Sequence, residues 1–133
     1  MSPDLQEKLF LKYPDIFQQK DMSMMQTCMC WGIECNDGWY DLINQLCHEI
    51  KLHIDFNLGK DEKKDLVQVQ ATQVKEKYGT LRFYHTGGNK FIDGLVWMAE
   101  GMSRHLCEIC GSPGFLREGS WVTTRCDGCH DNK

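Results

Sequence analysis

Four cysteines near the end of the chain stand at spacings that do chemistry. Cys107-Glu108-Ile109-Cys110 and Cys126-Asp127-Gly128-Cys129 are two C-x-x-C pairs, with fifteen residues between Cys110 and Cys126. That is the pattern of a four-thiolate zinc site. A soft divalent cation takes four sulfurs in a tetrahedron. Two intervening residues let the chain fold into a tight knuckle with both sulfurs on one side. Gly111 follows the first pair and Gly128 lies inside the second, where the backbone has to turn. Four thiolates close the shell and leave no position for water, so the expected cofactor is one structural Zn2+ on Cys107, Cys110, Cys126 and Cys129. His130 is a spare ligand, and a Cys3His shell would be closed as well. The competing reading is a pair of disulfides or ordinary buried thiols. The opening run Met1-Ser2-Pro3-Asp4-Leu5-Gln6-Glu7-Lys8 has acids and no apolar stretch, so no signal peptide is expected. A reducing compartment then favours metal over disulfides.

Four further cysteines are Cys28, Cys30, Cys35 and Cys47. Cys-x-Cys-x4-Cys is not a standard zinc spacing, so buried thiols are expected there and a second metal is the alternative.

The elements that must position these groups follow from periodicity. Ser2 as N-cap and Pro3 in the first turn open a helix over 3–13, with Leu5, Leu9, Phe10 and Tyr13 on one face and Pro14 as its stop. Residues 18–36 have no clean period. Asp37 is the expected N-cap of a helix over 37–56, where Trp39, Leu42, Ile43, Leu46, Ile50 and His53 or Ile54 form the apolar stripe. His48 falls off that stripe, as a solvated side chain. The mixed-charge run from Asn57 to Asp65 reads as a solvated connection. Alternation of Val67, Val69 and Ala71 gives a strand, and Val74 breaks the phase as a bulge or strand end. Gly79 turns the chain into Thr80–His85, with Leu81, Phe83 and His85 on one face and Arg82 and Tyr84 on the other. The whole is an antiparallel hairpin over 67–86. Asn89 caps a helix over 89–106 with Ile92, Leu95, Ala99, Met102 and Leu106 as its stripe, and Gly94 and Gly101 either weaken it or permit close packing.

The expected fold is therefore α+β: three helices packed on an antiparallel β-hairpin, followed by a C-terminal zinc-ribbon-like knuckle pair. Residues 1–106 make the α+β core, and residues 107–133 a zinc-binding element continuous with it. The chain ends at Lys133, which leaves little room for a further helix and favours a ribbon or truncated treble clef.

Composition bounds the function. The chain has 133 residues, 41 % of them hydrophobic, which supports one packed core. No apolar run approaches the roughly 20 residues of a membrane span, so no membrane partner is expected. A formal charge of -4 argues against a general nucleic-acid binder.

Three stretches carry a resemblance. They are Cys35-Asn36-Asp37-Gly38-Trp39-Tyr40-Asp41-Leu42-Ile43, Gln73-Val74-Lys75-Glu76-Lys77-Tyr78-Gly79-Thr80-Leu81-Arg82-Phe83-Tyr84 and Cys107-Glu108-Ile109-Cys110-Gly111. From about Tyr13 to His130 the chain resembles small proteins of unassigned function encoded by bacteriophages and prophages. The resemblance implies a bacterial host cytoplasm. It also implies a host macromolecule as partner, such as a defence-system component, and carries over no catalytic residue.

The leading functional expectation is a non-enzymatic zinc-binding protein that binds a host or phage protein, with Tyr78, Arg82, Tyr84 and Trp121 as its contact face. Tyr, Trp and Arg are the usual anchors of such faces. The alternative is nucleic-acid binding along Lys75, Lys77, Arg82, Arg104, Arg117 and Arg125. Two further readings are a small nuclease built on His85, His105 and His130, and a nucleotide-sequestering pocket at Gly87-Gly88 and Arg82. No catalytic constellation is legible.

Overall fold

The computed structural model describes residues 1–57 and 66–131 and is mixed α+β. The charged run expected to connect helix and hairpin lies, beyond Asn57, outside the described residues.

Helix α1 spans Pro3–Lys12 and buries Leu9 and Phe10. Pro3 sits in its first turn, and Ser2 precedes it without a side-chain capping bond. Instead the Ser2 N–H donates to Asp37 Oδ1 at 2.7 Å. Asp37 was expected to cap its own helix; it ties the N-terminus down, and Asp37–Trp39 is a 3-10 turn leading into α2, Tyr40–Asn57. The α2 stripe is as expected, with Leu42, Ile43, Leu46, Ile50 and Ile54 buried and Cys47 joining them. Two further 3-10 turns, Gln18–Asp21 and Met29–Trp31, organise the stretch that showed no period.

The sheet has three strands. β2 (Val67–Lys77) and β3 (Thr80–Gly88) pair antiparallel, and the short β1 (Ile33–Glu34) pairs parallel to β2 through Ile33↔Val74 and Glu34↔Lys75. β1 is an addition to the expected hairpin, since two residues are too few for alternation to register. The phase break at Val74 is a bulge: the register slips between Ala71 and Gln73, and β2 continues to Lys77. This places Val69, Ala71 and Val74 together in the core.

Helix α3 spans Lys90–Ser103, shorter than expected, with the Asn89 side chain accepting the Ile92 N–H at 3.0 Å. Its buried face is Ile92, Val96, Ala99 and Ser103. Leu95 and Leu106 are only partly covered and Met102 is exposed, so the stripe is rotated from the expected one. The helix packs on β3 as well as α2. Ser103 Oγ accepts the Leu81 N–H at 2.9 Å and Glu100 accepts the Phe83 N–H at 2.9 Å, which turns that side of α3 to the sheet. One core cluster joins α1, α2, α3 and the sheet, with Trp39, Phe17 and Phe83 among its largest members.

The C-terminal part is a small hairpin, β4 (Phe115–Arg117) with β5 (Thr123–Arg125), followed by a five-residue helix α4, Asp127–Asp131. A further helix was not expected there. The second cysteine pair is carried by this helical turn rather than by a second knuckle loop, so the order is knuckle, hairpin, helix, as in a shortened treble clef.

Candidate metal centre

The Sγ atoms of Cys107, Cys110, Cys126 and Cys129 all lie within 4.8 Å of one another. A tetrahedral ion with metal–sulfur bonds of about 2.3 Å sets its sulfurs roughly 3.8 Å apart. Cys110 and Cys126 are 3.6 Å apart, far beyond a disulfide bond length, and all eight cysteines are free. Among the described residues this is the one group of three or more His, Cys, Asp or Glu side chains that could hold a metal ion. His130 is not part of it.

Backbone hydrogen bonds build the cradle. Cys107 O accepts from Gly111 N at 2.8 Å, which closes the first knuckle with Gly111 at φ +81°. Cys107 N donates to Ser112 O at 2.7 Å and Glu108 N to Thr124 O at 2.9 Å, locking the knuckle to β5. On the other side Cys129 N points at Cys126 Sγ at 3.4 Å, and His130 N donates to Cys126 O at 2.9 Å. Arg117 fastens the hairpin to α4 through Asp127 Oδ1 at 2.7 Å and Arg125 O at 3.1 Å.

The electrostatics fit a cation. Hydrogen bonds from Ser112 pull the Cys110 thiol down to about 6. The neighbouring Cys126 pushes Cys129 up to about 12. Burial pushes Cys107 up, and backbone hydrogen bonds from Cys126, Cys110 and Ile109 outweigh it, so its thiol is lowered. Crowded sulfurs share negative charge poorly by themselves, and a divalent cation removes that conflict.

The cradle is bonded to the α+β core. Gly38 N donates to Glu108 O at 2.7 Å, and a Cβ on Gly38 would stand 2.2 Å from Cys107 O. Glu108 is buried, and its Oε2 accepts from both Asn36 N (3.0 Å) and Asn36 Nδ2 (3.1 Å). Burial pushes the Glu108 carboxyl up, with the Asn36 N–H opposing. Glu108 and Asn36 were not singled out in the sequence. The signal that could have found them is an acidic residue placed between two metal-ligand cysteines, directly after the buried Cys107.

The expected contact residues divide. Tyr78 and Trp121 are brought together on one groove of about 600 Å³, lined also by Lys75, Lys77 and Glu76. Thr124 Oγ1 donates to Gly79 O at 2.6 Å, so the metal hairpin itself carries Trp121 to the β2–β3 turn. Arg82 lies opposite Lys75 on the outer face of the sheet, and Tyr84 opposite Gln73, neither of them lining that groove. The expected basic stripe is interrupted: Arg117 is bound to Asp127, and Arg125 stands beside Glu108. His85 lies 3.6 Å from Asp93, His105 is exposed, and neither joins His130 in a ligand group among the described residues. Gly87 is pressed on β2, where an added Cβ would meet Gln68 O at 2.2 Å, so its lack of a side chain serves strand pairing. Cys35 and Cys47 are buried as expected, whereas Cys28, which precedes the 3-10 turn Met29–Trp31, is exposed, and Cys30, within that turn, is partly so because the turn buries Met29 instead. No helix among the described residues is long and apolar enough to cross a membrane. No family model matches this chain, and no curated protein and no solved structure matches it.

Proposed function

We propose that this chain is a non-enzymatic binding protein, with Zn2+ on Cys107, Cys110, Cys126 and Cys129 as its one structural ion. The contact face is the groove between Tyr78 and Trp121, and its partner is a protein of the bacterial cell in which a phage-encoded chain would work. Soft sulfur donors in a tetrahedron favour zinc over hard cations. The ion holds the β4–β5 hairpin, and the hairpin presents Trp121.

The observation that carries the reading is Tyr78. It occupies a left-handed conformation, φ +52°, at the first position of a two-residue turn whose second is Gly79 at φ +80°. Asn or Gly suits that position at lower cost. Tyr78 is 73 % exposed and Trp121 is 77 % exposed, so neither is held there by core packing. Strain kept for an exposed aromatic pair supports a contact role.

The test is affinity capture from bacterial lysate with the zinc-loaded protein, beside Tyr78→Ala and Trp121→Ala variants of unchanged zinc content. A protein retained by the parent and lost from both variants is expected. A partner retained equally by all three would overturn the assignment of the face.

The second reading is single-stranded nucleic acid on the same groove. Lys75 and Lys77 line it beside the two aromatic rings, which is the combination that stacks bases and tracks phosphates. Binding of an oligonucleotide that weakens steeply with salt and is lost in Trp121→Ala would favour it.

A further inference from the structure

A second groove runs between α2 and α3, away from the Tyr78–Trp121 face. It has a volume of about 340 Å³, with Leu42, Leu46, Leu95 and Ala99 at its base and Met98 and Met102 along one wall. Helix α3 already buries Ile92, Val96, Ala99 and Ser103 against the fold. Phe91, Leu95, Met98 and Met102 recur at helical spacing and form a second apolar stripe, turned roughly 100° from the buried one. Met98 is 68 % exposed and Met102 46 % exposed. Beyond this stripe lie Gly94 and Gly101, where an added Cβ would meet nothing within 4 Å. The fold itself places no side chain against those two positions.

The opposite wall is acidic. Asp41, Gln45 and Glu49 make one ridge of α2 at four-residue intervals. Among the described residues neither Asp41 nor Glu49 has a cationic partner in a salt bridge. Among the described residues no Lys or Arg lines the groove.

We propose that this groove docks an amphipathic helix of a partner protein, with an apolar ridge on the methionine wall and Lys or Arg against Asp41 and Glu49. The shape favours a helix: Asp41 to Glu49 spans about 12 Å of α2, two turns, and a third helix packs into the furrow between two others by ridges and grooves. Methionine walls adapt to varied apolar side chains. The charge favours a basic partner. A second copy would bring the same acidic ridges into one interface with no basic residue in the groove to meet them, and an anionic membrane would be repelled by them.

The test uses the full zinc-loaded protein and two synthetic helical peptides with the same leucine stripe, one flanked by Lys and one by Glu. The Lys peptide is expected to bind at least about tenfold more tightly. Met98→Asp, at an exposed position that leaves the circular dichroism unchanged, should weaken it about tenfold or more. Asp41→Asn with Glu49→Gln should narrow the gap between the peptides, and Trp121→Ala should leave both affinities unchanged. Equal affinity for the two peptides, or no binding of either, would overturn the proposal. So would a dimer in sedimentation that Met98→Asp dissolves, because the groove would then belong to a second copy.

Discussion

The indole N–H of Trp39 donates to the main-chain oxygen of Leu106 at 2.9 Å. Trp39 is fully buried in the core, and Leu106 immediately precedes the first cysteine of the metal cradle. The first knuckle of the cradle is thus tied directly to the core. Trp39→Phe keeps an aromatic ring but removes the donor and some volume. We expect a loss of about 1–3 kcal/mol in urea unfolding, together with faster zinc transfer to a chromophoric chelator. Unchanged transfer kinetics would show that the hydrogen bond has no hold on the cradle.

Two glycines give opposite expectations. Gly38→Ala drives a methyl group into Cys107 O and the Glu108 carbonyl, both main-chain and unable to step aside. It should cost about 2–3 kcal/mol or more and lower zinc occupancy. Gly101→Ala meets empty space in a helix and should stabilise by up to about 1 kcal/mol. Thermal melts of the two variants check both signs.

Removing the metal should undo the C-terminal part first. Metal analysis of the purified protein is expected to give one zinc per chain. Cys126→Ser leaves three thiolates, and chelation of the parent leaves four sulfurs with no ion. In both cases limited proteolysis should cut within 107–131, while the α1–α3 core keeps its helical circular dichroism. The core has its own buried cluster, in which the metal cysteines take no part. A chelated protein with an unchanged melt and protease pattern would refute the structural-zinc reading.

Tyr78→Asn separates stability from recognition. Asn tolerates the left-handed turn position better than Tyr. The variant should gain about 0.5–1 kcal/mol in denaturant unfolding yet lose the partner captured by the parent. Retained capture would mean that the ring is not part of the contact.

Thiol chemistry should follow burial. Iodoacetamide is expected to label Cys28 and then Cys30, while Cys35 and Cys47 stay unmodified in the folded protein; mass spectrometry of peptides reads this directly. Burial pushes Cys35 up to about 12 and Cys47 further in the same direction. A thiol raised in the folded state stabilises fully below its unfolded value, about 8.5, and loses that contribution as pH rises towards the folded value. Stability should therefore decline above about pH 8.5. Cys47→Ala should make that decline shallower, although it lowers stability at neutral pH by leaving a cavity.

Legibility varied along the chain for identifiable reasons. Helix α2 was readable because one face is buried along its length, so Leu42, Ile43, Leu46, Ile50 and Ile54 repeat at the helical period. The stripe of α3 was misplaced because that helix has two apolar faces, and periodicity cannot tell which is buried. Glu100 and Ser103 decided it through bonds to β3. The parallel strand β1 was missed because its partner, Val74, lies forty-one residues further along the chain.

The sequence by itself determined the chemistry of the metal group, because ligand type and C-x-x-C spacing are local properties that survive in any surrounding. It likewise determined the β2–β3 hairpin, which is written in neighbouring residues, whereas the phase break at Val74 read as either a bulge or a strand end until the register was seen. Only the tertiary structure decided what that group is attached to and what it presents. Gly38, Asn36 and Trp39 meet Glu108 and Leu106 across about seventy residues. Trp121 meets the Tyr78 turn because Thr124 bonds to Gly79. Such pairings depend on burial and on hydrogen-bond partners distant in sequence, and no local pattern encodes either.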